Sequence, residues 1–310
     1  MTPPVIIDAD PGRDDAVALM LACGAGQKSI EVRAVTTVAG NVPVDKTTRN
    51  ALRVLALIGR SDIPVAAGAA GPLCRSLVTA EHVHGESGLE VSGGLEMPEP
   101  VSGAAPEDAV ALMEEVIEAS PEPVTLIPIG PLTNVAALVR RNPGLGEKVR
   151  RVILMGGSVG PGNTTAAAEF NVYVDPEAAA VVFGSGLPIT MVGLDVTRRA
   201  LVGEEHLRRL RSLGDVGAVA ADLLVEPEWS PKSGEPSPVH DAVAVAAAIE
   251  PGVLTTRPMR VEVECAGEHT TGETVCDVDG VSGKPPNADV AVDLDADRIM
   301  ELLLESVGRL

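Results

Sequence analysis

Apolar runs of strand length recur along this chain with helix-length segments between them, and that alternation restricts its fold more than any other feature. Val5-Ile6-Ile7 is a continuous apolar run, the pattern of a strand buried on both faces. Further strands are expected at Val32–Val38, Val124–Ile129, Val152–Met155 and Ile189–Leu194. Helices are expected at Ala16–Ala22, Val44–Ile58, Pro106–Ala119, Thr133–Arg140, Pro176–Phe183 and Glu204–Leu213. Such an order implies a parallel sheet covered by helices. The last part reads as antiparallel, with strands at Met259–Cys265, Thr274–Val278 and Ala288–Val292 before a closing helix at Ala296–Leu304. The expectation is an α/β chain: an open, mostly parallel, Rossmann-like sheet with helices on both faces and a small antiparallel extension near the C-terminus. Residues 1–310 are read as one domain. Residues 71–105 and 226–238 read as long loops, the second of them mobile.

Only four residues are aromatic, Phe170, Tyr173, Phe183 and Trp229, so the core must be built from Val, Leu, Ile and Ala. A net charge of −20 argues against nucleic-acid backbones and anionic membranes as partners. The first residues lack a basic segment and a long apolar run, so a cytoplasmic location is expected. Cys23, Cys74, Cys265 and Cys276 show no CxxC spacing, and free thiols are expected, although a hairpin through Gly267–Gly272 could bring Cys265 and Cys276 face to face.

Four carboxylates, Asp8, Asp10, Asp14 and Asp15, crowd around Pro11-Gly12-Arg13 directly after the first strand. The carboxyl ends of parallel strands are where open α/β sheets place their ligands. Like charges so close require compensation, and a hard divalent cation with oxygen ligands is the simplest form of it. Capping of the following helix accounts for Asp14 and Asp15 but not for Asp8 and Asp10.

Polar residues recur at the other strand ends: Gly40-Asn41, Gly130 to Asn134, Asn163 and Asp195. His240-Asp241 opens a helix over Ala242–Ile249. Taken singly, Asn41 could occupy a left-handed turn, Thr133 could cap a helix, and His240 and Asp241 could be a solvated residue and a cap. Their convergence on one sheet edge favours a common site. Glu169 and Asn171, two apart and on the same side of an extended backbone, suit vicinal hydroxyls. A pocket of carboxylates and amides without a nucleophilic Ser or Cys suits water activation.

The run Asp8-Ala9-Asp10-Pro11-Gly12-Arg13-Asp14-Asp15-Ala16 resembles the N-terminal signature of the inosine–uridine-preferring nucleoside hydrolases. The resemblance continues in order through Gly40-Asn41, His84 to Leu89, Gly130 to Asn134, Glu169-Phe170-Asn171, Asp175 to Ala179, Gly193 to Thr197 and His240-Asp241. It implies a Ca²⁺-dependent hydrolase that cleaves the N-glycosidic bond of ribonucleosides to ribose and free base, with homo-oligomers of two or four copies and a setting in nucleoside salvage. Carried over residue by residue, Asp10 would be the general base on a metal-held water. Asp10, Asp15, Asp241 and the Ile129 carbonyl would be cation ligands. Asp14, Asn163, Glu169 and Asn171 would hold ribose, with Asn41 nearby. His240 would be a candidate proton donor to the leaving base, and His84 would line the base pocket.

The family often sandwiches or protonates the base with aromatic residues, and here Trp229 is the one candidate, as stacking partner or as loop anchor. His82 matches no motif, and His206 and His269 are expected to face solvent. Two other readings remain open at this level: a nucleoside- or ribose-binding protein without turnover, and an Mg²⁺-dependent haloacid-dehalogenase-type phosphatase, whose strand-end Asp-x-Asp is similar. The preferred base is not written in any motif.

Overall fold

A computed structural model of the chain describes residues 2–26, 29–90, 97–225 and 235–310. The parallel strands are β1 (Pro4–Ala9), β2 (Glu31–Thr37), β3 (Val65–Ala67), β4 (Val124–Pro128), β5 (Val149–Met155) and β6 (Ile189–Val192). A short ribbon pairs β7 (Leu201–Val202) with β8 (Ser237–Pro238). The last three strands are β9 (Leu254–Val263), β10 (Thr274–Asp277) and β11 (Ala288–Leu294). Among the described residues nine strands form one sheet in the order β10-β9-β11-β6-β5-β4-β1-β2-β3. β11 joins β6 in parallel, while β9 and β10 run antiparallel at the edge. The chain thus starts in the middle of the sheet and winds outward to β3, then returns to β4 and winds the other way. The reversal lies between β1 and β4, where strand-end loops part and leave a crevice.

The first helices are α1 (Arg13–Gly24), α2 (Val44–Leu57), α3 (Glu81–His84) and α4 (Ala109–Ala119). α5 (Thr133–Arg141), α6 (Phe170–Val174), α7 (Pro176–Phe183) and α8 (Leu194–Thr197) follow. α9 (Glu204–Arg211), α10 (Asp215–Leu224), α11 (His240–Ile249) and α12 (Ala296–Val307) complete the set. Every residue of β1 is buried, with Ile7 in the core shared with α1, α11 and α12 and Ile6 in the opposite core with α4, α5 and α7. Alternate side chains of one strand therefore hold two helical layers together. The expected open sheet, with helices on both faces and an antiparallel end, is the architecture observed.

The differences are local. The strand expected to Leu194 stops at Val192, because Gly193 is the N-cap of α8 and Leu194 opens that helix. The helix expected from Pro106 begins at Ala109, where Asp108 accepts from the Ala111 N–H (2.8 Å). β3, α6, α10 and the β7–β8 ribbon were not expected; Gly214 stands just before α10 and Gly217 lies within its first turn, which weakens the helical pattern. The first long loop holds α3, whereas residues 91–96 and most of the second, 226–234 with Trp229, lie outside the described residues. The hairpin pairs Cys276 with Val261, not with Cys265, and all four cysteines are free. Thr133 is inside α5, its hydroxyl donating to Asp175 Oδ2 (2.7 Å), so it is not the cap. His206 is half-buried and accepts from the Gly203 N–H (3.2 Å), whereas His269 is exposed as expected.

Candidate active site

The turn between β1 and α1 is held by its own acids. Asp15, one turn into α1, accepts from the N–H groups of Gly12 (3.0 Å) and Asp10 (3.1 Å), two donors that the start of a helix leaves without partners. Asn41, on the loop after β2, gives its N–H to Asp10 Oδ2 (2.7 Å) and its side-chain amide to Asp10 O (3.1 Å) and Asp15 Oδ2 (3.0 Å). Asn41 therefore positions the acids; no non-glycine residue among those described has positive φ, so it is not in a left-handed turn.

The Asp10 carboxylate fits a slot between two strand-end glycines. A Cβ at Gly40 would come within 2.1 Å of Oδ2, and one at Gly130 within 2.5 Å of Oδ1. Asp10 and Asp15 are each 1 % exposed, and Asp10 Oδ1 is buried without a hydrogen-bond partner among the described residues. Asp14, Asp15 and Asp241 bring carboxylate oxygens within 4.8 Å of one another, Asp241 reaching in from the start of α11.

Burial is the largest influence on these acids. It pushes Asp15 up to about 7, aided by the charge of Asp14. Asp10 is raised well above the usual carboxylate range by burial and then by Asp15. Asp241 is raised likewise, by burial and then by Asp14, Asp15, Asp10 and Glu169. The donor set consists of hard oxygens, one of them buried and unpartnered, and a divalent cation would relieve both the repulsion and the orphaned oxygen. The residues present fit such an ion. Asp15 and Asp241, with Asp10 Oδ1 and the Ile129 carbonyl, would hold it, and Asp14 stands beside them on the cavity wall, where the ribose hydroxyls would reach it.

Asp8 parts from the other three acids of the turn. Its Oδ1 accepts from Thr36 Oγ1 (2.7 Å) and Asn134 Nδ2 (2.8 Å), and burial pushes it up to about 7. It lies on the strand and pins β1 to β2 and α5 in the interior.

Above the acids opens a cavity of about 400 Å³, lined by Asp14, Asn41, His84, Ile129, Asn163, Glu169, Asn171, His240 and Asp241 among others. Nine of the sequence-predicted site residues thus meet in one cavity, with Asp10 and Asp15 set deeper beneath it. Trp229 lies outside the described residues.

Glu169 and Asn171 arrive by a route other than the extended backbone expected for them. Glu169 caps α6, its carboxylate accepting from the N–H groups of Asn171 (3.0 Å), Val172 (3.3 Å) and Gly157 (2.9 Å), and burial still pushes it up to about 7. Asn171 is in the first turn of α6 and spends its amide hydrogens on the carbonyls of Ile129 (3.0 Å) and Met155 (3.1 Å). Its Oδ1 remains the atom suited to accept from a ligand hydroxyl. Asn163 is exposed, and its Oδ1 accepts from the Phe170 N–H (3.0 Å).

Two of the predicted histidines, His84 and His240, line the cavity. His84 Nδ1 accepts from the Arg13 N–H (3.2 Å), which places the proton of the neutral ring on Nε2. His240, the first residue of α11, has Nδ1 2.7 Å from the hydroxyl of buried Thr197 on α8. Thr197 stood in a motif without an assigned role; Arg13, His82, Leu223 and Leu224 also line the cavity and were likewise unassigned. Nothing in the sequence marks the last two as lining residues, because α10 itself was not legible.

The sequence profile of the inosine-uridine preferring nucleoside hydrolases matches residues 5–301. The chain is 46% identical over 313 residues to the pyrimidine-specific ribonucleoside hydrolase RihA of Citrobacter koseri, covering 99% of this chain and 99% of that protein. It is 45% identical over 316 residues to the RihA of Photobacterium profundum, again covering 99% of each. Among solved structures, the purine-preferring ribonucleoside hydrolase from Gardnerella vaginalis superposes with a TM-score of 0.88 at 30% identity, covering 98% of both chains. An inosine-uridine preferring nucleoside hydrolase from Bacillus anthracis, at 18% identity and full coverage of both chains, shares the fold with a TM-score of 0.83. Sequence profile, near full-length identity and fold agree with the geometry of the cavity: the chain belongs to the inosine-uridine preferring nucleoside hydrolase family, enzymes that hydrolyse N-glycosyl compounds.

Proposed function

We propose that this chain, acting as one catalytic domain, is a Ca²⁺-dependent hydrolase that releases ribose and the free base from pyrimidine ribonucleosides. The observation that carries the reading is the meeting of Asp14, Asp15 and Asp241 within 4.8 Å under a cavity that Glu169, Asn171 and His240 also line. Carboxylate and carbonyl oxygens are the ligands that Ca²⁺ takes. When bound there, the cation would supply a water of lowered pKa at a fixed position.

The chain's own residues account for the remaining steps. Asp10, held between Gly40 and Gly130 beside the proposed cation site, accepts a proton from the attacking water. The water oxygen forms a bond to the anomeric carbon as the C–N bond breaks, and the bonding pair leaves with the base nitrogen. Positive charge that grows on the ribose is stabilised by the surrounding carboxylates. Asp14, Glu169, Asn171 and Asn163 hold the ribose hydroxyls, Glu169 kept in place by three backbone donors. His240 gives the departing base its proton. The Thr197 hydroxyl, 2.7 Å from Nδ1, can accept from the protonated ring and donate to the neutral one, so it holds the imidazole in both states. His84, its own Nε2–H set by Arg13, lines the base end.

The pyrimidine preference is supported by the relatives at 45–46% identity, whose names carry it, against 30% for the purine-preferring structure. The phosphatase reading is set aside, since the family profile spans residues 5–301. Four free thiols fit a cytoplasmic setting, and among the described residues no helix is long and apolar enough to cross a membrane. A homo-oligomer of two or four copies belongs to the same reading and is measured by sedimentation velocity.

The test is ribose release from uridine, cytidine, inosine, adenosine and guanosine, each with Ca²⁺ and with chelator. Metal-dependent release, fastest from uridine and cytidine, is the expected result. Faster release from purine nucleosides would overturn the base assignment. Binding of nucleoside with no ribose from any of the five would make this a binding protein.

A further inference from the structure

Arg13 joins parts of the cavity that no single element spans. It is 6 % exposed, lines the cavity and opens α1, immediately before Asp14 and Asp15. A buried guanidinium is costly unless its donors are used. That of Arg13 donates to the carbonyl of Val225, the residue that ends α10. The two residues before it, Leu223 and Leu224, are buried side chains that line the same cavity as Asp14 and His84. The Arg13 backbone N–H in turn donates to His84 Nδ1. One residue therefore links the acid turn to α3 through its backbone and to the end of α10 through its side chain.

We propose that Arg13 is a positioning residue for the nucleobase end of the cavity: it fixes the wall formed by Leu223 and Leu224 at a set distance from the carboxylates that hold the sugar. The inference rests on the nucleosidase reading above. On the sugar side, Glu169 and Asn171 are held by backbone groups of Gly157, Val172, Ile129 and Met155. Its removal loosens the base end alone, and a nucleoside, which must satisfy both ends at once, loses affinity where free ribose does not.

The experiment compares Arg13→Ala, Arg13→Lys and Arg13→Gln by the uridine KM, kcat and the inhibition constant of free ribose. Arg13→Ala is expected to raise the uridine KM by about tenfold or more while the ribose constant stays within about twofold, a split that general damage to the site does not produce. Arg13→Lys, which keeps a donor for the Val225 carbonyl, recovers part of the loss. Leu224→Ala gives the same split, and the double variant Arg13→Ala/Leu224→Ala is no worse than about the larger single effect, since both act on one wall. An unchanged KM, or a ribose constant that rises in step with it, overturns the proposal. If Arg13→Ala does not fold, the Lys and Gln variants are read by the same ratio. If the wild-type protein binds uridine but releases no ribose, the nucleosidase reading fails by itself. The ratio of uridine to ribose dissociation constants, by calorimetry, then decides on Arg13.

Discussion

The Thr197 hydroxyl lies 2.7 Å from Nδ1 of His240, where α8 meets the start of α11. This contact holds the imidazole by Nδ1 and ties the His240 end of the cavity to the segment that follows β6. Thr197→Val keeps the shape and removes the hydroxyl. It is expected to lower kcat for uridine by about 10–100-fold, with Thr197→Ser restoring most of it. A 4-nitrophenyl riboside, whose leaving group departs without a proton, should be far less affected. Equal losses on both substrates would reduce Thr197 to packing.

Asp10 and Asp8 stand two residues apart on one strand end and should behave differently. Asp10→Asn is expected to lower kcat by about 10³-fold or more, the scale of a lost general base. Asp8→Asn retains an oxygen for Thr36 and Asn134 and should leave kcat within about fivefold. Steady-state rates with uridine measure both, and near-normal kcat in Asp10→Asn would remove it from the role of base.

The glycine slot around Asp10 is a steric condition on catalysis. Gly40→Ala places a methyl 2.1 Å from Asp10 Oδ2 and Gly130→Ala places one 2.5 Å from Oδ1, so the carboxylate must move. A displacement near 1 Å at a reacting group costs about 10²-fold in rate. Both variants are expected to lose at least that much kcat while circular dichroism shows the folded spectrum. Full activity in either would show that the carboxylate tolerates displacement.

Burial of the acids links stability to pH. In the cation-free protein Asp8, Asp15 and Glu169 keep their protons to about 7, above the 3.8 and 4.5 of exposed carboxyls. Between those limits the folded state binds more protons than the unfolded, so stability falls as pH rises and levels off above about pH 7. Ion-paired acids with lowered values, such as Asp62 and Glu177, are ionised in both states above about pH 5 and add no slope there. The chelated protein should therefore melt at a lower temperature at about pH 8 than at about pH 5, and Ca²⁺ should raise Tm more at the higher pH. A Tm of the chelated protein that climbs over that range contradicts the assignment.

Much of the site was legible because its residues stand next to strand ends. Asp10 and Asn41 closely follow, and Ile129 ends, a run whose length and β-branched content mark a strand, and a parallel sheet brings such ends together. Glu169 and Asn171 line the cavity, but from a helix start and not from the extended backbone expected for them. Phe170 to Val174 is rich in β-branched and aromatic residues, a local preference for strand that the Glu169 cap overrides with three hydrogen bonds. α10 escaped because Gly214 precedes it and Gly217 interrupts its first turn, and with it the wall of Leu223 and Leu224.

What the sequence by itself determined is what periodicity and local chemistry determine: the order of strands and helices, the acid turn at the first strand end, and the family. Those are properties of neighbours along the chain. Which acids face the cavity was decided only in three dimensions, because it depends on residues far apart in sequence meeting at one point. Asp8 turns inward to Thr36 and Asn134, while Asp10 is held between Gly40 and Gly130. The same holds for the hydroxyl of Thr197 under His240 and for the reach of Arg13 to Val225. Packing of distant elements sets these distances, and a hydrogen bond between them exists only once the sheet and both helical layers are in place.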